Sequence, residues 1–363
     1  MDYFIGHSHA LRLIREVRRT KGLRLVPCDV TEVAAWPAGR RFTWRKFVVP
    51  SVDSLSHFDS QLRPCLLAPD ASTRFKARGV DSPVLAGRFP RGSFLRLECE
   101  SIAAGLSANA YYVMSPGLCL VSAAEFLMRR VGATGDCKDS LIRLIALVME
   151  LCGSFVRDPR SPHSGKTVFW KGTFSSTAEL GEQLSGICDA NGIKLARRAV
   201  ALSRDGSASP METLHYAMFC LPPQLGGLGI PAAELNGIAQ MGESSDGISH
   251  LREMKPDVSW PERCVAIEHL GSEGHCGKDA LMLDARRIQD YQVAGWQVFP
   301  ATFDDVRTQA SFNAFARHVV FSLDPHGARG WWDRMQDLLA DPGFRMRQAR
   351  TLAQLLPPVA ADE

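Results

Sequence analysis

The sequence predicts an α/β (α+β) protein, with an N-terminal α+β region followed by a mixed sheet flanked by helices. Three observations carry this. From Lys255 to Thr302 two apolar runs are joined by a proline-led turn, then followed by a charged stretch of helical period and a third apolar run. Elsewhere, capped helix-period segments alternate with short β-branched runs. The 363 residues are enough for two or three domains. Gly206–Ala208 reads as a linker. It divides the chain into an α+β region over 1–206 that includes a small helical DNA-binding part, a second domain over 207–325, and a helical tail over 326–363.

Bulk composition sets few limits. Forty-two basic against 39 acidic residues give a formal charge of +3, too small to argue for nucleic acid without local clustering. The ten cysteines form no Cys-x-x-Cys pair, and several sit in apolar runs. This predicts reduced, buried thiols and a cytoplasmic protein rather than a disulfide framework or a zinc knuckle. The N-terminus lacks a signal-peptide pattern. The longest apolar run, around Arg143 and Glu150, is too interrupted to span a membrane, so no membrane partner is expected.

In chain order, residues 7–22 predict a basic amphipathic helix, with Leu11, Leu13, Ile14 and Val17 apolar and Arg12, Arg15, Arg18, Arg19 and Lys21 charged. A second basic cluster, Arg40, Arg41, Arg45 and Lys46, flanks Trp44. Basic residues beside an aromatic suit a phosphate backbone, and a solvated helix face explains the first cluster equally well. Tyr111–Met114 reads as a strand, Ser115-Pro116-Gly117 as a turn and Leu118–Val121 as a second strand. Ser122 and Glu125 then form a capping-box pattern. An apolar helix is expected over about 139–155 and two more around Asn191-Gly192. The HSGKT run has Arg160 where a phosphate-binding loop requires glycine, so it reads as a polar loop.

After the linker, Ser209 caps a helix with Pro210 at its first position and Glu212 at its third. A Gly/Pro-rich loop follows, and 234–246 reads as polar loop. If the strand candidate Pro256–Trp260 and the run from Cys264 to Leu270 pair as a hairpin centred between Glu262 and Arg263, Asp257 falls opposite Glu268. Directly opposed Cβ atoms lie about 5 Å apart. Two carboxylates at that distance call for a proton or a cation, and a hard divalent ion such as Mg²⁺ or Mn²⁺ suits oxygen ligands. Ala266, Glu268 and Leu270 share one strand face; Val265, Ile267 and His269 share the other. His275, in the glycine-rich loop beyond, is placed to take a proton from an attacking water. On the helix Lys278–Val293, Asp284, Arg287 and Tyr291 fall at helical spacing, with Asp284 and Arg287 as neighbours. Thr302 caps a further helix.

The Pro256-Asp257 strand, the Gly271–His275 spacing and the Asp-x-x-Arg helix ending in Gly295-Trp296 resemble the core of the very-short-patch-repair (Vsr-like) endonucleases of the PD-(D/E)XK superfamily. The resemblance covers about 209–320. The layout of the whole chain resembles uncharacterised actinobacterial AbiEi-type proteins. The resemblance implies a metal-dependent endonuclease acting on DNA. Asp257 and Glu268 would hold Mg²⁺ or Mn²⁺, Glu212 would add a carboxylate from the preceding helix, and His275 would activate water. Glu212 also reads simply as the partner of Ser209 at a helix start. Leu270 stands where the family pattern places Lys or Asp. The alternative is a nuclease fold that has lost activity and serves as a DNA-binding regulator or a toxin–antitoxin or phage-defence component, with a protein partner of unspecified identity.

Overall fold

Two units make up the chain, each built on its own four-stranded mixed sheet. The computed structural model describes residues 2–35, 65–74, 80–99, 110–134, 137–159, 166–169, 171–240, 253–270 and 278–356. Arg40, Arg41, Arg45, Lys46 and His275 lie outside them, as do residues 163–165 and 357–363.

The first unit comprises Met1–Gly135 and Val156–Ala201. Its elements are β1 (Asp2–Ile5), α1 (His7–Arg19), β2 (Leu23–Pro27), β3 (Phe94–Cys99), β4 (Ala110–Met114) and α2 (Pro116–Thr134). The sheet runs β1-β4-β3-β2, with β1 parallel to β4 and the other pairs antiparallel. α1 turns Ala10, Leu13 and Ile14 inward. The strand expected at Leu118–Val121 is instead the first turns of α2. The Ser115 carbonyl accepts from Cys119 N–H, and Pro116 takes the first helical position. The apolar run Leu-Cys-Leu-Val is buried on all sides, and an apolar run by itself does not separate buried strand from buried helix. Two helices beyond the second unit's first segment complete this unit: Thr177–Ser185, with a full Ser176/Glu179 capping box, and Ile193–Ala201. In chain order they are α4 and α5.

The second unit comprises Asp136–Phe155 and Leu202–Glu363. It therefore includes α3 (Cys137–Leu151), which precedes the linker in sequence. Leu144, Ile145, Val148 and Met149 of α3 are completely buried. A helix this apolar needs cover on several sides, and α6 (Pro210–Cys220) and the C-terminal α11 supply it. Arg143 also donates to Gln354 of α11. The remaining elements are β5 (Glu234–Leu235), β6 (Ala239–Gln240), β7 (Glu253–Met254), β8 (Val258–Trp260), β9 (Val265–His269), α7 (Lys278–Val293), β10 (Gln297–Ala301), α8 (Phe303–Arg307), α9 (Gln309–Leu323), α10 (Trp331–Ala340) and α11 (Pro342–Leu355). The sheet order is β10-β9-β8-β5. β5, β8 and β9 are antiparallel neighbours, while β9 and β10 are parallel and joined through α7. β5 falls within the stretch expected to be loop. Its two residues are too few to show an alternating pattern.

α6 and α9 cover one sheet face and α7 the other. Phe219 of α6 packs its ring 5.8 Å from Trp260, 5.3 Å from Phe312 and 6.3 Å from Phe315. Against the opposite face, Tyr291, Trp296, Val298, Ala266 and Met254 form one apolar cluster. Among the described residues no helix is long and apolar enough to cross a membrane.

The Gly/Pro-rich loop after α6 folds back onto that helix. Leu228 and Ile230 N–H groups donate to the Met218 and Phe219 carbonyls, and Gly229 N–H donates to Leu221. Gly226 takes a left-handed φ of +85°. A Cβ at Gly227 would stand 2.1 Å from the Leu221 carbonyl oxygen and 2.8 Å from that of Ala217. Both contacts are backbone and cannot swing aside. Gly227→Ala is therefore expected to destabilise the second unit by about 3 kcal/mol in urea unfolding. Gly181→Ala in α4, where a Cβ meets nothing within 4 Å, serves as the neutral or stabilising comparison.

Candidate functional site

The hairpin pairs Val258 with Ile267, Ser259 with Ala266 and Trp260 with Val265. That is the register expected from the spacing, and one step further it sets Asp257 across from Glu268. A 3₁₀ turn over Pro261–Arg263 makes the connection, closed by Cys264 at a left-handed φ of +50°. Asp257 does not face Glu268 bare. Its Oδ2 accepts the backbone N–H of His269 at 2.7 Å, ending the ladder.

Glu268 is 4% exposed. A carboxylate buried so deeply needs charged or donor partners, and α7 supplies two. Tyr291 Oη donates to Glu268 Oε1 at 2.7 Å, and Arg287 Nη2 lies 3.2 Å from the same oxygen. Their i, i+4 spacing puts both on one helix face. The apolar contacts of Tyr291 with Ala266 and Val298 hold that face on the sheet. Arg287 also donates to the Lys255 carbonyl at 2.9 Å and is close enough to Asp257 to favour its charged form. Burial works most strongly against the Arg287 charge, but Glu268, Tyr291 and Asp257 together outweigh it and the net shift is upward. Burial, then the Glu268 charge, raises the Tyr291 phenol and keeps it a donor. Arg287 thus pairs with Glu268 across elements.

Glu212 occupies the other side of Asp257. Its backbone N–H donates to Ser209 Oγ at 3.1 Å, so Ser209 caps the helix as expected. The Glu212 side chain does not complete a capping box. Its Oε2 accepts the Ala208 N–H at 2.6 Å and the Asn236 side-chain amide at 2.6 Å. Asn236, just past β5, adopts a left-handed φ of +51°, which asparagine tolerates better than most residues. Burial, and then the neighbouring Asp257 charge, pushes Glu212 up to about 8. Burial likewise raises Asp257, partly offset by the His269 N–H and Arg287. Glu212 is the member of the pair that retains its proton near neutrality.

On the α6 side of the sheet stands a pair that the sequence pattern did not single out. His215 Nε2 lies 3.4 Å from His269 Nδ1. His215 is completely buried, and burial pushes it down to about 3, so it is neutral. Glu212 and His215 are i, i+3 neighbours on α6, which is the signal that would have found it. His269 indeed faces away from Glu268, as the strand alternation required.

The sequence reading therefore brings Glu212, Asp257 and Glu268 to one region, with Arg287 between the last two. The fit to a divalent cation is poor. Glu268 Oε1 already holds a cation and a phenol, Asp257 Oδ2 holds a backbone N–H, and Leu270 adds an apolar side chain. Among the described residues no three His, Cys, Asp or Glu side chains are grouped to hold a metal. In the first unit, the arginines expected to meet nucleic acid are engaged locally. Arg18 Nη2 donates to the Gly172 carbonyl at 3.0 Å, Arg19 lies 3.8 Å from Asp158, and Arg15 is half-buried near Cys119. The chain matches no known protein family, no curated protein and no solved structure.

Two measurements check this geometry. Because the folded protein holds a proton on Glu212 that the unfolded chain releases near pH 4.5, Glu212 contributes stability that is complete in acid and is lost as pH rises toward 8. Glu212→Gln should flatten that decline, matching wild type near pH 5 and exceeding it by on the order of 3–4 kcal/mol at pH 8. Tyr291→Phe removes a donor from a buried carboxylate and should cost about 1–2 kcal/mol in thermal unfolding. Arg287→Ala, with its guanidinium partly in solvent, should cost a similar amount.

Proposed function

We propose that the second unit is a nuclease-like fold of the PD-(D/E)XK, Vsr-like kind whose acidic centre is balanced from within. The protein then acts as a DNA-binding regulator, in a toxin–antitoxin or phage-defence setting, rather than as a working endonuclease. The element order α6-β5-β8-β9-α7-β10, with a parallel β9–α7–β10 crossover, supports the fold assignment. The observation that carries the functional reading is the Arg287–Glu268–Tyr291 cluster. The position where a metal-dependent nuclease concentrates uncompensated negative charge is occupied here by the protein's own guanidinium. Cleavage of a phosphodiester by this site would require Glu268 to leave both partners.

A second reading, a metal-dependent endonuclease, is favoured by one specific feature. Glu212 and Asp257 are adjacent buried carboxylates, and burial, then the Asp257 charge, raises the proton affinity of Glu212. Supercoiled and linear DNA incubated with the full chain and Mg²⁺ or Mn²⁺ separates the two. The regulator reading expects salt-dependent DNA binding without nicking, and binding unchanged in Asp257→Ala. Divalent-dependent nicking that disappears in both Asp257→Ala and Glu268→Ala would overturn it in favour of the enzyme. Neither binding nor nicking would leave a protein-interaction scaffold.

A further inference from the structure

The second unit has a groove of about 460 Å³ between the outer side of β10 and the helices α9 and α10. Phe299, Phe321 and Trp332 supply its aromatic surface, and Arg317, His318 and Gln297 its polar surface. Along α9 the residues Ala314, Arg317, His318 and Phe321 fall at i, i+3, i+4 and i+7. They form an exposed stripe opposite the buried Phe312, Phe315, Val319 and Val320. Phe321 is 54% exposed, unusual for so large an apolar side chain, and meets Trp332 edge-on at 5.7 Å. Arg317 is exposed and makes no ion pair or hydrogen bond with any described residue. Asp333, next to Trp332 on α10, is not part of the lining.

Two kinds of extended chain suit such a surface, a peptide or a nucleic-acid strand. A peptide would add to β10, the edge of the sheet among the described residues. Gln297 N–H donates to the Cys264 carbonyl and Leu270 N–H to the Ala301 carbonyl, so residues 297, 299 and 301 direct their backbone groups at β9. Val298 and Pro300 are left for the open edge. Proline has no N–H, so one of these two donors is missing, a feature that discourages strand addition. Aromatic faces beside the exposed Arg317, on an edge that discourages strand addition, match the requirements of bases that stack and phosphates that need neutralising.

We propose that this groove is a docking surface for single-stranded DNA, with bases stacking on Trp332 and Phe321 and the backbone meeting Arg317 and His318. The inference rests on the DNA-binding reading and locates it. Phe299 pairs in register with Ile267 on the α9 face, whereas Val298 packs with Ala266 and Tyr291 on the α7 face. The groove and Glu268 therefore lie on opposite faces of the sheet. A strand held in the groove is not presented to the carboxylate, in keeping with binding without cleavage.

Fluorescence anisotropy of the full chain with a labelled oligo(dT) of about 20 nucleotides, longer than a typical stacking site, tests the proposal. Trp332→Ala and Arg317→Glu should each weaken binding about tenfold or more, and Trp332→Phe should retain most of it. Arg317→Ala should lower the slope of log affinity against log salt by about one. Arg350→Ala, at an exposed position on α11, should change binding less than about twofold. Arg317 is on the surface, so Arg317→Glu is expected to melt as wild type does, which separates lost binding from lost folding. If wild type binds oligo(dT) and both groove variants bind equally well, this proposal falls while the DNA-binding reading stands. If duplex binds as tightly as single strand and Trp332→Ala is silent, stacking is not the mode and the proposal also falls. Loss of binding to an acidic peptide in the groove variants, with oligo(dT) binding intact, would make the surface a peptide site. No DNA binding by wild type removes the DNA-binding reading itself.

Discussion

A carboxylate in the middle of a sheet has to be answered by a proton or a cation, and the second unit is arranged around that requirement at Glu268. Arg287 and Tyr291 answer it from a helix that must lie over one sheet face at one rotation. The same turn of α7 that presents the phenol to Glu268 buries the Tyr291 ring against Ala266 and Val298. Hydrophobic burial and charge compensation thus favour one docking of α7, and the parallel β9–α7–β10 connection follows from that docking. Neither term alone would fix it. Apolar burial is non-directional, and the ion pair, with Arg287 partly in solvent, is modest in strength by itself.

The neighbouring pair is balanced differently. Glu212 and Asp257 have no guanidinium between them. Their repulsion is relieved by Asn236, by backbone N–H groups and by a proton retained on Glu212. Three carboxylates are brought together, yet their compensation is distributed among a cation, a proton and fixed dipoles. Such a region stabilises one conformation of the protein at neutral pH, and it leaves a phosphodiester little to meet. The surface that does offer unpaired positive charge and open aromatic faces is across the sheet, between β10 and α9. The acidic cluster and this aromatic and basic surface lie on opposite faces of the sheet.

Much of this was legible from spacing. The hairpin register follows from a centre between Glu262 and Arg263. The span of α7 follows from its periodicity and Gly295, and Glu268 was conspicuous as a charge inside an apolar strand. The partners of Glu268 were harder to read. Spacing on α7 does not reveal that the Arg287 guanidinium reaches across to β9, because that contact depends on tertiary packing. β5 is two residues long and leaves no pattern, though it places Asn236 against Glu212. The run at Leu118–Val121 was read as strand because burial removes the polar positions that distinguish a helix from a strand. The arginines of α1 show the converse: their amphipathic pattern suggests an open face, while three-dimensional contacts engage Arg18 and Arg19 with residues some 140 to 155 positions away.

Leu270 gains its meaning from this setting. Taken alone, an apolar residue in place of Lys or Asp is a single departure from a family pattern. It shares a strand face with Ala266 and Glu268, the face that α7 covers with Tyr291 and Arg287. A polar group there would add a donor to a carboxylate already served twice, or a second negative charge beside it. Leucine does neither. Leu270 on the strand and Arg287 and Tyr291 on the helix are mutually consistent with a closed, internally balanced centre.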